Sequence, residues 1–204
     1  MSLFPPERYQ KRSFFTNLYI PAIGAAIIIL YPSYHQVTDF HLWYLFPLWI
    51  ILGHILCSLS YTITGISVKK GIIFFINSFA VYGENRSLIY LQTAFLTSFL
   101  EEAIFRYFLL FYLKDLLRSP ILAIFLSSLI FTAYHLHLGW KSESFMRYLD
   151  LFIFSSIIGT ANIITRSFYP AFILHGMRNY ILRCLLVSKE EYEARKKKRA
   201  YLDN

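Results

Sequence analysis

The sequence predicts an all-α protein, a polytopic membrane helical bundle of six to seven transmembrane helices. Three observations carry that expectation. Of 204 residues, 56% are hydrophobic and only 16% are charged, against about 25% charged in ordinary soluble domains. Six apolar runs meet or approach the roughly 20 residues that cross a bilayer. The basic residues are unevenly distributed between the segments joining those runs. The 20 Phe and 16 Tyr supply rings for lipid-facing surfaces and interfacial anchors.

The runs follow in order. Arg8, Lys11 and Arg12 precede the first, Phe14–Tyr34, whose core is "IPAIGAAIIILY". A basic start followed by an apolar stretch resembles a signal peptide, but no small-residue cleavage site follows, so an uncleaved span is expected. The others are Phe40–Ile66, Ser87–Leu113, Pro120–Leu138, Tyr148–Thr165 and Phe168–Val187. Gly71–Tyr82 has only 12 residues, so it reads as interfacial, re-entrant or half of a broken helix. The breakers "YPSYHQVTD", "GEN", "RSP" and "GWKSES" fit the boundaries. With no internal repeat, heptad or low-complexity segment, residues 1–204 form a single integral membrane domain. It ends in a basic tail, 188–204, containing "RKKKR" (Arg195–Arg199).

Orientation follows from the basic residues. With six spans and the short run not crossing, 14 Lys and Arg collect on the side of the termini, against Lys114, Arg118 and Arg166 on the other. Seven spans would even the split to eight against nine. The positive-inside rule therefore favours six spans with both termini cytoplasmic. Beside a membrane helix, the basic tail is expected to touch anionic headgroups of the bilayer rather than nucleic acid. Cys57 and Cys184 lie in apolar stretches, which supports neither a disulfide scaffold nor a zinc-thiolate site.

Within the spans, "SFLEEAIFRYFLL" places Glu101, Glu102 and Arg106 among apolar residues. Each charge at a bilayer centre costs about 2.5–3.5 kcal/mol on insertion scales. Glu102 and Arg106 are four apart, acid first, and can neutralise each other as a buried support. Glu101 is rotated about 100° from Glu102 and has no cation three or four positions away. It needs a partner on another helix, a proton, or a function. In "FTAYHLHLGW", Phe131 and His135 share a helical face and His137 points elsewhere. In "HGMRN", His175 and Asn179 share a face. Each pair reads either as interfacial or interhelical packing or as part of a site. Taken together, a carboxylate with an imidazole can deprotonate water, and an imidazole with an amide can stabilise an oxyanion, which makes a hydrolase constellation. His35 and His41 fall in the first loop, His54 is alone in its span, and Asp150 and Asn162 lack a partner motif. Ser127 and Ser128 have no G-x-S-x-G elbow, and no H-E-x-x-H occurs.

At "EEAIFR", "FTAYH" and "HGMRN" the sequence resembles the CAAX protease and bacteriocin-processing family of glutamic-type intramembrane endopeptidases, whose pattern is E-E-x-x-x-R, F-x-x-x-H and H-x-x-x-N on successive helices. The resemblance lies within Glu101–Asn179, which puts the catalytic helices within 87–187. It implies Glu101 as general base with help from His135, and His175 with Asn179 as oxyanion site. Glu102, Arg106 and Phe131 then act as structural support. No cofactor is expected; the alternative is a zinc shell of Glu101, His135 and His175. The expected function is an intramembrane protease acting on a membrane-anchored protein or peptide, whether a prenylated C-terminus, a leader peptide or a C-terminal sorting segment. The alternatives are a non-catalytic immunity or peptide-binding membrane protein and a small proton-coupled transporter. The chain's brevity points to a prokaryotic plasma membrane, and no oligomeric state is assigned.

Overall fold

The computed structural model describes residues 44–65, 67–79, 82, 87–137 and 145–184, with positions 22 and 26. The first expected span, Phe14–Tyr34, is otherwise outside the described residues, as are His35, His41, the "GEN" and "GWKSES" segments, the side chain of His137 and the basic tail.

Helix α1 spans Phe46–Gly65 and α2 spans Val68–Ser78. Helix α3, Ser87–Glu102, continues through a π-helical segment, Ala103–Leu109, into α4, Leu110–Leu117. Helices α5 (Pro120–His137) and α6 (Phe145–Thr165) follow, and α7 runs over 168–184. No strand occurs among the described residues. The all-α expectation therefore holds. Two helices, α1 and α6, are long and apolar enough to cross a membrane, and Pro120–His135 is a shorter apolar helix.

The residue distribution along α1 is inverted relative to a soluble helix. Leu48, Ile51, Ile55 and Leu59 form an exposed apolar stripe at helical spacing, while His54, Cys57 and Ser60 face inward. On α5, Ile121, Leu122, Phe125, Leu129 and Ile130 point outward and Ser127, Ser128, Thr132 and His135 are buried. Apolar exteriors with polar interiors fit lipid as the surrounding solvent.

The short run between the second and third long spans forms α2. At 1.5 Å per residue its 11 residues extend about 16 Å, half a bilayer core, so it cannot cross as a straight helix. Ser67 caps it by accepting from the Lys70 N–H, and the helix turns back against α1, with Tyr61 stacked on Phe74. His54, alone in its span, finds its partners outside it. Its ring lies 2.7 Å from Ser78 Oγ and 2.8 Å from Tyr82 Oη, stacked on Phe79. Those partners lie 24 and 28 residues away, on the returning α2 segment, beyond the reach of helical spacing.

Two turns use the same device. Arg118 and Arg166 adopt the left-handed conformation, φ 51° and 50°, which stops one helix. The serine after each caps the next: Ser119 Oγ accepts from the Leu122 N–H and Ser167 Oγ from the Tyr169 N–H. Pro120 and Pro170 fall in the first turns that follow, where a missing N–H costs nothing.

Helix α7 is seated between α1 and α3 through two glycines. A Cβ on Gly53 would lie 2.6 Å from Met177 Cβ, and one on Gly176 2.7 Å from the Phe95 ring. Such small residues let helices approach where lipid offers no hydrophobic drive to associate. Replacing Gly53 or Gly176 with Ala is expected to cost about 1–3 kcal/mol by overpacking, read as a lower unfolding midpoint in detergent. An unchanged midpoint in both variants would contradict this seating.

Candidate active site

The polar side chains singled out in the sequence meet where α3, α5 and α7 pack. Glu102 is fully buried and closes two contacts. Its Oε1 accepts a 2.6 Å hydrogen bond from His175 Nδ1, and its Oε2 lies 3.3 Å from Arg106 Nε. The i,i+4 pair read from the sequence is therefore present. The carboxylate also reaches 73 residues along the chain to orient an imidazole, a second role that local spacing does not reveal.

Glu101 approaches the same imidazole from its other nitrogen. Its Oε2 is 3.5 Å from His175 Nε2 and 3.8 Å from His135 Nε2. The adjacent acids thus hold the two ring nitrogens of His175 between them. Their surroundings differ: the Glu101 side chain keeps 18% of its surface accessible and that of Glu102 none. Of the two acids, only Glu101 has accessible surface.

The partners of the two imidazoles fix their proton positions. The Phe131 carbonyl, which can only accept, lies 2.9 Å from His135 Nδ1, so that nitrogen carries the hydrogen. His175 Nδ1 donates to the Arg106-paired Glu102 carboxylate by the same logic. Both rings therefore turn Nε2 toward Glu101. At 3.5 and 3.8 Å these contacts exceed good direct hydrogen bonds.

Phe131 packs all of this together. The Arg106 guanidinium lies 4.6 Å from its ring centroid, the His135 ring 4.4 Å, the Phe105 ring 5.1 Å and the His175 ring 5.9 Å. Arg106 is held further by Ser155 Oγ, which accepts from Nη2 at 3.0 Å. Its backbone carbonyl accepts from Asn162 Nδ2 at 3.2 Å. Arg106 lies inside the π-helical segment, where the wider turn closes Leu110 N–H onto the Phe105 carbonyl. Such turns recur at functional sites. The sequence periodicity suggested an unbroken α-helix here; nothing in it marks the extra residue.

Asn162 and Asp150, which lack a partner motif in the sequence, both have partners in the structure. Asn162 holds the π segment, and Asp150 Oδ2 accepts from Arg178 Nη2 at 2.7 Å. Arg178 also donates to Ser60 and lies 4.4 Å over the Phe154 ring, whose edge meets His175 at 5.4 Å. One signal was available: Ser155 and Asn162 are seven apart on α6, one stripe of two turns, and both bind Arg106.

Asn179 shares the His175 face of α7, as expected, and its Nδ2 donates to Ser98 Oγ at 2.9 Å. With Arg183 Nη1 donating to Thr93 Oγ1, three rungs join α3 and α7: 102 with 175, 98 with 179 and 93 with 183. Numbers falling on one helix as they rise on the other make the pair antiparallel. Glu101, His135 and His175 converge, yet among the described residues no three His, Cys, Asp or Glu side chains are arranged to hold a metal ion. Cys57 and Cys184 are free and buried.

The converging residues Glu101, Glu102, His135, His175 and Asn179 lie in the segment that matches a known family. A family model, Rce1-like, described as type II CAAX prenyl endopeptidase Rce1-like, matches residues 83–181. The family resemblance read from the motifs is shown over that segment. No curated protein and no solved structure matches the chain.

Removing Arg106 leaves Glu102 buried without its cation, a change that costs about 3–5 kcal/mol. Arg106→Met is expected to lower the unfolding midpoint sharply, and adding Glu102→Gln to recover part of the loss. A double variant less stable than Arg106→Met alone would contradict the pairing.

Proposed function

We propose that this protein is an intramembrane endopeptidase that hydrolyses a peptide bond of a membrane-associated protein or peptide with water activated by Glu101. The observation that carries this reading is the asymmetry of the acid doublet. Glu102 is sealed and committed to Arg106 and His175, whereas Glu101 is partly accessible and faces two imidazole Nε2 atoms. The family match supports the reaction class.

A water between Glu101 and His135 donates one hydrogen to the carboxylate and the other to His135 Nε2. A lone pair is then free to attack the scissile carbonyl carbon. As the C–O bond forms, the water proton passes to Glu101, and the carbonyl oxygen becomes an oxyanion. His175 gives its Nδ1–H to Glu102, so it can offer an Nε2–H only as the imidazolium, a cation held between the two carboxylates. That N–H and the Asn179 amide are the oxyanion donors. Collapse breaks the C–N bond, and Glu101 returns its proton to the leaving nitrogen, giving a carboxylic acid and an amine. A positioned base contributes about 10²–10⁴-fold, and loss of one oxyanion donor costs about 10²–10³-fold. No step passes through a metal.

The substrate is a membrane-anchored chain: a leader peptide, a C-terminal sorting segment or a prenylated C-terminus, cleaved near the surface of a prokaryotic plasma membrane. Purified protein in detergent is expected to cleave such a peptide. Glu101→Gln is expected to lower kcat at least about 10²-fold with the unfolding midpoint retained, and wild-type activity is expected to survive exhaustive chelation. Undiminished turnover in the Gln variant would reject the assignment, and one tightly held zinc required for activity would replace the metal-free mechanism. Peptide binding without cleavage would favour an immunity or peptide-binding protein, and proton-coupled uptake in liposomes a transporter.

A further inference from the structure

Ser98 lies outside all three sequence motifs, on α3 one turn before the acid doublet, and is completely buried. Its hydroxyl has one hydrogen, and that hydrogen is spent on the Ala94 carbonyl at 2.9 Å, within its own helix. Toward Asn179 the oxygen can therefore only accept. The side-chain amide of Asn179 must then present its NH₂ end to Ser98, which it does at 2.9 Å, with its carbonyl oxygen turned away.

We infer that Ser98 is a positioning residue that sets the amide orientation of Asn179. With one Nδ2–H held by Ser98, the second is left as a donor in fixed orientation. A flipped amide would offer an acceptor oxygen instead, which repels an oxyanion. The inference rests on the proposed function in making Asn179 an oxyanion donor, but the hydrogen-bond polarity stands independently of it.

The surrounding geometry reinforces the role. The Ser98–Asn179 rung lies four residues from the Glu102–His175 rung on both helices. Two oxyanion donors on α7 are thereby each tied to α3, the helix that also carries the base. Donor and base positions are set by one rigid element, at 1.5 Å of rise per residue.

The test has two readouts. In kinetics with a cleavable peptide, Asn179→Ala is expected to lower kcat about 10²-fold, as for loss of one oxyanion donor. Ser98→Ala should lower kcat about 10-fold with KM within about twofold, a loss of transition-state stabilisation alone. Ser98→Thr, which keeps the hydroxyl, should recover most of it, and Ser98→Ala with Asn179→Ala should be no slower than Asn179→Ala, since residues acting as a unit are non-additive. The second readout is the side-chain amide resonances of Asn179 in ¹⁵N-asparagine-labelled protein in detergent, assigned by their loss in Asn179→Ala. They should move in Ser98→Ala and stay near their wild-type positions in Ser98→Thr. Resonances unmoved by Ser98→Ala overturn the hydrogen bond whether or not the protein cleaves a peptide. Moved resonances with unchanged kcat, or fully additive losses in the double variant, overturn the positioning role. Failure of the wild type to cleave any peptide counts against the proposed function, and the resonances alone then decide whether Ser98 orients Asn179.

Discussion

The hydrogen bond between Glu102 and His175 is the contact on which the rest of the site depends. It joins the third and seventh described helices at 2.6 Å in a fully buried position. Water cannot substitute for either partner there, and a buried carboxylate without compensation would be strongly destabilising. Arg106 supplies that compensation from one turn away, and is itself held by Ser155 and the face of Phe131. The charge relay from Arg106 through Glu102 to His175 is thus a structural chain first. Its chemical consequence is that the Nε2 edge of His175 faces Glu101.

The helix pairing extends that single contact into a register. Three polar rungs between α3 and α7 allow only one alignment, because sliding by a turn would leave buried donors and acceptors unmatched. Glycines at 53 and 176 let α7 settle close enough for those rungs to form. The π-helical segment then widens α3 just past the acids, and Asn162 accounts for its released Arg106 carbonyl. Packing, backbone geometry and polar pairing all act on the same few ångströms around the doublet.

Much of this was legible in the chain. The intrahelical Glu102–Arg106 pair follows from four-residue spacing, the shared faces of Phe131 with His135 and of His175 with Asn179 from helical periodicity, and the turn at Arg118–Pro120 from its residues. The long-range partners were not legible. Glu102 with His175, Asp150 with Arg178 and His54 with Ser78 join helices whose relative rotation is fixed only by packing, so no spacing rule reaches them. The π turn left no trace because one extra residue in an apolar stretch does not disturb its hydropathy. Ser98 was passed over because a serine in a membrane helix ordinarily satisfies itself on its own backbone, as this one also does.

The central claim is that the Glu102 carboxylate holds the proton of His175 on Nδ1 and turns Nε2 toward Glu101. Imidazole ¹⁵N chemical shifts of His175, assigned by comparison with a His175→Ala variant, report that directly. The account predicts a hydrogen-bonded Nδ1–H in the wild type whose signal is markedly weakened or displaced in Glu102→Gln. A neutral ring protonated on Nε2 with Nδ1 bare, or a resonance indifferent to Glu102→Gln, would contradict it.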